Sequence, residues 1–174
     1  VTYHLPGMSI REFLLLETGQ LHASVDLSTL LDKHPILAAE ILSRIDGSII
    51  KRFREYLDHG FYPFYREGRD LFPIRLANVV EKIVSEDIPS VMGIRPGSIP
   101  LLRKLIHLVA SSQPFAPNIE RIAGALGTSR EFVYSALEYL QRAGLFALLP
   151  PPGRGLKAVR KPAKVYLDNP NLFP

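Results

Sequence analysis

The stretch Asn118–Phe146, NIERIAGALGTSREFVYSALEYLQRAGLF, decides the fold. Ile119, Ile122, Ala123 and Leu126 fall at i, i+3, i+4 and i+7, and so do Val133, Ala136, Leu137 and Leu140. Each set puts one apolar stripe on a helix. Gly127 stands between them, where the first helix has to turn, and Thr128 is placed to cap the second, with Glu131 three residues on. Two short amphipathic helices hinged at a glycine are the sequence form of a helix-turn-helix. Upstream, Leu102, Leu105, Ile106 and Val109 repeat the same spacing and predict a third helix. Downstream, LFALL (Leu145–Leu149) and KVYLD (Lys164–Asp168) predict two strands joined by a stretch rich in Pro, Gly, Lys and Arg. Three helices followed by a hairpin make a winged helix.

The preceding segments are also mostly helical. Val1–Gly7 reads as a short strand entering a turn. Ser9–Gly19 reads as a helix with capping-box spacing between Ser9 and Glu12 and a stop at Gly19. Residues 26–46 predict one or two helices, with Pro35 near a helix start. Ser48–Gly60 predicts a helix ended by Gly60, and Phe61–Asp70 an aromatic-rich loop. Leu71 to Met92 predicts a long helix with Ala77, Val80, Val84 and Ile88 on one side. The turn residues of Gly93–Gly97 mark a candidate subdomain boundary. The expected fold is mainly α: a helical bundle followed by a winged helix-turn-helix with a small β-hairpin.

Composition narrows the function. The chain has 174 residues, of which 47% are hydrophobic, enough for a packed core. It has no cysteine, which removes disulfides and cysteine-bound metals and fits a cytoplasmic protein. No apolar run is long enough to span a membrane, so no membrane partner is expected. The first residues lack the pattern of a signal peptide and begin without Met, which fits a piece of a longer chain. Residues 1–113 carry 13 Lys/Arg and 13 Asp/Glu; residues 114–174 carry 8 and 4, so the whole net charge of +4 sits in the last third. A local basic excess attracts phosphates.

Most of that excess lies in the wing, where Arg154, Lys157, Arg160, Lys161 and Lys164 fall within eleven residues without an acid. They suit backbone phosphate contact, or equally an exposed hairpin protected against edge pairing. On the exposed face of the third helix, Arg130, Tyr134 and Arg142 suit DNA. Glu131 and Glu138 do not, because each faces phosphate repulsion. Glu131 has a capping explanation, which leaves Glu138 as the stronger objection. The competing expectation is a helical module that packs on a protein partner.

Other chemistry is thin. The aromatic residues Phe53, Tyr56, Phe61, Tyr62, Phe64 and Tyr65 could stack bases, but Glu55, Asp58, Glu67 and Asp70 balance the nearby bases, and core packing is the better reading. No two of the five histidines share metal-ligand spacing on a helix, so no metal site is expected. There is no GxSxG nucleophile elbow, no GxxxxGK[ST] phosphate loop and no Gly-rich dinucleotide loop. The chain itself is therefore expected to be non-catalytic and to hold no cofactor.

The order of segments resembles a family of prokaryotic, archaeal-type AAA+-like ATPases. YHLPGMSIREFLLLETG (Tyr3–Gly19) resembles the family's LPGLSFREFL segment, and YLDHGFYPFYREG (Tyr56–Gly68) its YLxxGGFP segment. ANVVEKIVSEDIPSVMGI (Ala77–Ile94) resembles the lid helix that ends in DI or DL. Residues 118–149 resemble the family's winged helix, and RKPAKVYLDNPNLF (Arg160–Phe173) its closing KIYFxDxGL. Tyr62 in HGFYP, and the lack of a glycine in DNPNLF, depart from the pattern. The resemblance implies residues 1–19 as an edge of the ATPase core, 20–95 as a helical lid and 98–174 as the winged-helix domain. The phosphate loop would lie upstream, and ATP and Mg would belong to the full-length parent. It also implies nucleotide-sensing candidates among the arginines, namely Arg11, Arg52 and Arg75. The winged helix would then bind double-stranded DNA or a protein partner. The alternative is a free-standing winged-helix regulator that binds DNA.

Overall fold

The structure, a computed structural model, describes residues 6–93, 95–151 and 162–172. It is mainly helical with one two-stranded antiparallel sheet. The chain divides into two compact units, Val1–Phe72 and Pro73–Pro174.

The first unit contains helices α1 (Ile10–Thr18), α2 (Leu27–Arg44) and α3 (Ile49–Glu55). The capping box at the start of α1 forms as its sequence predicts. The Glu12 amide donates to Ser9 Oγ at 3.3 Å, and Glu12 Oε2 accepts from the Ser9 amide at 2.7 Å. Gly19 ends the helix in the left-handed region with φ 71°. The expected strand at Val1–Gly7 falls mostly outside the described residues, and Pro6 and Gly7 are not in a strand. Pro35 does not start a helix: it sits inside the single 18-residue α2, which Asp26 caps by accepting from the Thr29 amide at 2.9 Å.

α3 runs on into a π turn, Tyr56–Gly60, and the expected loop contains a 3₁₀ turn, Pro63–Glu67. These turns surround Phe13, which is fully buried. Its ring lies 5.7 Å from Tyr56, 5.6 Å from Tyr65 and 6.1 Å from His59, centroid to centroid. A Cβ at Gly60 would stand 2.6 Å from the Tyr56 ring and 2.8 Å from that of Phe13, so the turn closes on Phe13 only with glycine there. At the edge of the cluster the Tyr65 hydroxyl donates to Glu17 Oε1 at 2.6 Å, and Arg69 donates to Glu17 Oε2. Burial alone would raise the Glu17 pKa. The Tyr65 and Arg69 hydrogen bonds and the charges of Arg69 and Arg52 outweigh it, and the net shift is downward.

In contrast, α2 buries no side chain. Leu27, Leu30, Leu31, Ala38 and Leu42 share one side at helical spacing, and Leu27 and Leu31 are each 69% exposed.

The second unit opens with α4 (Phe72–Lys82, whose first residue closes the first unit), a π turn (Ile83–Asp87) and α5 (Ile88–Met92). The buried stripe of this run is Leu76, Val84 and Ile88, with Val80 half-buried; Ala77, expected on that side, is exposed. Val84 and Ile88 belong to the same core as Leu102, Leu105, Leu137 and Phe146. The run therefore continues into the winged helix, and the division of units falls before it rather than at Gly93–Gly97. Arg103 on the next helix reinforces this by donating two hydrogen bonds to the Glu81 carboxylate, one of them from Nε at 3.1 Å. Both side chains are about half exposed, so the pair adds little stability.

The winged helix proper comprises α6 (Ile99–Ala110), α7 (Ile119–Leu126), α8 (Arg130–Arg142), β1 (Phe146–Leu149) and β2 (Lys164–Leu167). The strands pair antiparallel with Phe146 opposite Leu167 and Leu149 opposite Lys164. A single bridge joins Phe115 to Val165 as the rudiment of a third strand. The predicted stripes are the buried ones, except that Leu126 and Ile106 are half-buried. The cap of α8 is one residue later than expected. The Thr128 amide is used to finish α7, donating to the Ala123 carbonyl at 3.0 Å beyond Gly127 at φ 64°. Ser129 then opens α8, accepting from the Phe132 amide at 3.1 Å.

Two expectations follow. Ser129→Ala removes the α8 cap and should cost about 1 kcal/mol, whereas Thr128→Ala should cost a few tenths; urea denaturation of the two variants distinguishes them. The second concerns acid. Burial first, and then the Arg69 charge, lower the His59 pKa below 6.5, against the opposing pull of Asp58, Glu55 and Glu17. Its neutral form therefore contributes stability that is complete above pH 6.5 and is lost as the pH falls below it. The lowered pKa of Glu17 adds a second loss below its ordinary 4.5. The melting temperature should fall in both intervals, and His59→Phe should remove the upper one.

Candidate nucleic-acid interface

Val133, Ala136, Leu137 and Leu140 anchor one side of α8 in the core, which turns Arg130, Tyr134, Glu138, Gln141 and Arg142 outward. The outward face is nearly neutral, because Arg130 and Arg142 are matched by Glu131 and Glu138. The Glu131 carboxylate has a lowered pKa because it accepts from its own amide and from the Ser129 hydroxyl. It thus belongs to the start of the helix, but as the second residue after the Ser129 cap rather than the third after a Thr128 cap, so the expected pairing of Thr128 with Glu131 is replaced by a contact with Ser129. Glu138 stays on the open face. Its Oε1 lies 4.0 Å from Arg142 Nη1, and the Arg142 guanidinium also sits 5.8 Å from the Tyr139 ring centroid. Both charged groups are about two-thirds exposed, so this pair is weak and a phosphate could displace Glu138. Tyr134 is 41% exposed and is the one large apolar surface in the middle of the face.

The wing adds Lys164, exposed at the start of β2 opposite Leu149. Arg154, Lys157, Arg160 and Lys161 lie outside the described residues.

The three arginines considered for nucleotide sensing have different surroundings. Arg11 is exposed on α1. Arg52 is engaged: its Nη1 donates to Glu55 Oε2 at 3.1 Å and lies 3.8 Å from Glu17 Oε2. Arg75 is half-buried on α4, in the other unit. Sequence reasoning missed Arg69 and Glu17, which meet across 52 residues of chain and carry no local signal. The aromatic residues pack mainly on one another, with Tyr65 on Phe13 and Phe64 stacked on Phe72 at 5.2 Å; of the six, Tyr65 is buried and Tyr56, Phe61, Tyr62 and Phe64 are half-buried. Phe53, 47% exposed, stacks on Tyr56 at 6.4 Å. Among the described residues no three His, Asp or Glu side chains are placed to hold a metal, and no helix is long and apolar enough to cross a membrane.

Comparison with known proteins gives a family and one relative. A family model described as a domain of unknown function (DUF8612) matches residues 50–173, from α3 through the whole winged helix. An uncharacterized protein of Methanocaldococcus jannaschii, MJ1637, is 25% identical over 163 residues, covering 91% of this chain and 34% of that protein. The chain thus spans about a third of the length of the curated relative it matches. No solved structure matches. A match over well over half of its length, including every element of the winged helix, places the chain in the DUF8612 family.

Proposed function

We propose that the chain is the non-catalytic C-terminal lid and winged-helix portion of a prokaryotic AAA+-like ATPase. In the whole protein the lid closes over ATP, and its movement is passed to a winged helix that engages DNA or a protein partner. The observation that carries this reading is the uncovered α2. An 18-residue amphipathic helix with no buried side chain is a poor end state for an independent domain, and a good one for a lid that packs on a larger body. Two further features support it. Val84 and Ile88 root the lid helix in the winged-helix core, so the two ends of that run move together. The archaeal relative is also about three times as long as the region it shares, which leaves room for a nucleotide-binding core.

The winged helix has two modes of contact open to it, and charge separates them. The α8 face is close to neutral, whereas the wing carries a run of bases. Duplex contact would therefore be dominated by the wing and insensitive to sequence.

The purified chain should show no Mg-dependent ATP turnover; sustained turnover overturns the reading. So does a reading frame with no phosphate loop upstream of Val1. For the duplex arm, Arg160→Ala with Lys161→Ala should weaken binding about tenfold at about 50 mM salt, and Glu138→Gln should strengthen it about twofold. Fluorescence anisotropy with a short labelled duplex measures both. No binding by the unaltered chain at that salt assigns the winged helix to a protein partner.

A further inference from the structure

The winged-helix unit carries a groove of about 460 Å³ on the side formed by the end of α6, the segment after it and α7. This lies within the range of small-molecule sites, roughly 300–1,000 Å³. Leu108, Phe115, Ala116, Ile122 and Ala125 supply its apolar walls, and among the described residues Arg121 is the only charged one that lines it.

The walls are fixed by the fold. Ile122 is a core residue, and Leu108 and Phe115 pack against that core. The Phe115 carbonyl accepts from the Val165 amide at 3.1 Å, which ties the segment to β2. The first turn of α7 is set by Asn118, whose side chain accepts from the Arg121 amide at 3.0 Å. The site is thus formed before any ligand arrives, and binding has little ordering cost.

The charge has no internal use. Among the described residues the Arg121 guanidinium makes no ion pair or hydrogen bond, in contrast to Arg103 and Arg142 of the same unit. Among the described residues no acid lines the groove, and Glu120, the nearest in sequence, is one position away on the helix and points about 100° aside. A planar guanidinium at the edge of an apolar wall matches a carboxylate joined to an apolar body.

We infer that this groove binds a small organic anion whose carboxylate pairs with Arg121 and whose apolar part lies on Leu108, Phe115 and Ile122. The site is separate from the outward face of α8, and it does not rest on the ATPase reading.

Phenylbutyrate is a suitable probe, with phenylbutyramide as its neutral counterpart of the same shape. The full 174-residue chain is titrated with each and followed by amide NMR. The acid should give saturating shifts centred on Leu108, Phe115 and Ile122, with a Kd of about 1 mM. The amide should bind at least tenfold more weakly. Arg121→Gln should abolish the difference between acid and amide, and Ala125→Phe should block both. Arg121 and Ala125 are exposed, so neither change removes core packing; if Ala125→Phe fails to fold, Arg121→Gln still decides. The inference is overturned if acid and amide bind alike, if Arg121→Gln leaves the acid's binding unchanged, if the shifts centre elsewhere, or if no saturation is seen up to about 10 mM.

Discussion

Val84 and Ile88 pack against Leu102, Leu105, Leu137 and Phe146, and the second unit depends on that contact. A three-helix winged domain of this size has a small core. Adding the end of a preceding helix enlarges it and fixes the direction from which the chain enters. The Glu81–Arg103 pair lies along the same seam but is half exposed, so the apolar contact does most of the holding. Within the second unit the winged helix is therefore preceded by a helix whose end is embedded in its core.

The first unit is organised differently. Phe13 lies at the centre of its aromatic cluster, and at the cluster's edge the half-buried Glu17 is satisfied by Tyr65 and Arg69. That cluster joins α1 to the turns after α3 and leaves α2 outside it. The unit thus combines a packed aromatic cluster with an exposed apolar helix face.

The winged helix was the most legible part of the sequence, because its signals are local. Apolar spacing within α6, α7 and α8, and glycine at 127, are all readable within a dozen residues. The α8 cap moved from Thr128 to Ser129 because the Thr128 amide is committed to the preceding helix, and that depends on where α7 ends. Pro35 lies away from its expected place for a related reason. A proline favours a helix start, yet Asp26 has already capped the helix upstream of it, and the chain accepts one missing hydrogen bond within a long helix. On the functional side the exposed charges of α8 were readable from periodicity. Arg121 was visible only as one more basic residue, because its isolation depends on the absence of acids brought near by folding. The contact of Glu17 with Arg69 spans too much chain for any spacing rule to register it.

The stripe Leu76, Val80, Val84, Ile88 advances in steps of four. In a regular α-helix such steps drift by about 40° each, and the last residue would have rotated well away from the first. A π turn takes more residues per revolution, and the one at Ile83–Asp87 absorbs part of that drift, keeping Val84 and Ile88 on the core side. The turn works as a phase adjuster. Gain or loss of a single residue there would rotate α5, and the core face it carries, by about 100° relative to α4. Length in this short segment is therefore under tighter constraint than side-chain identity, and relatives should differ there by substitution far more readily than by insertion or deletion.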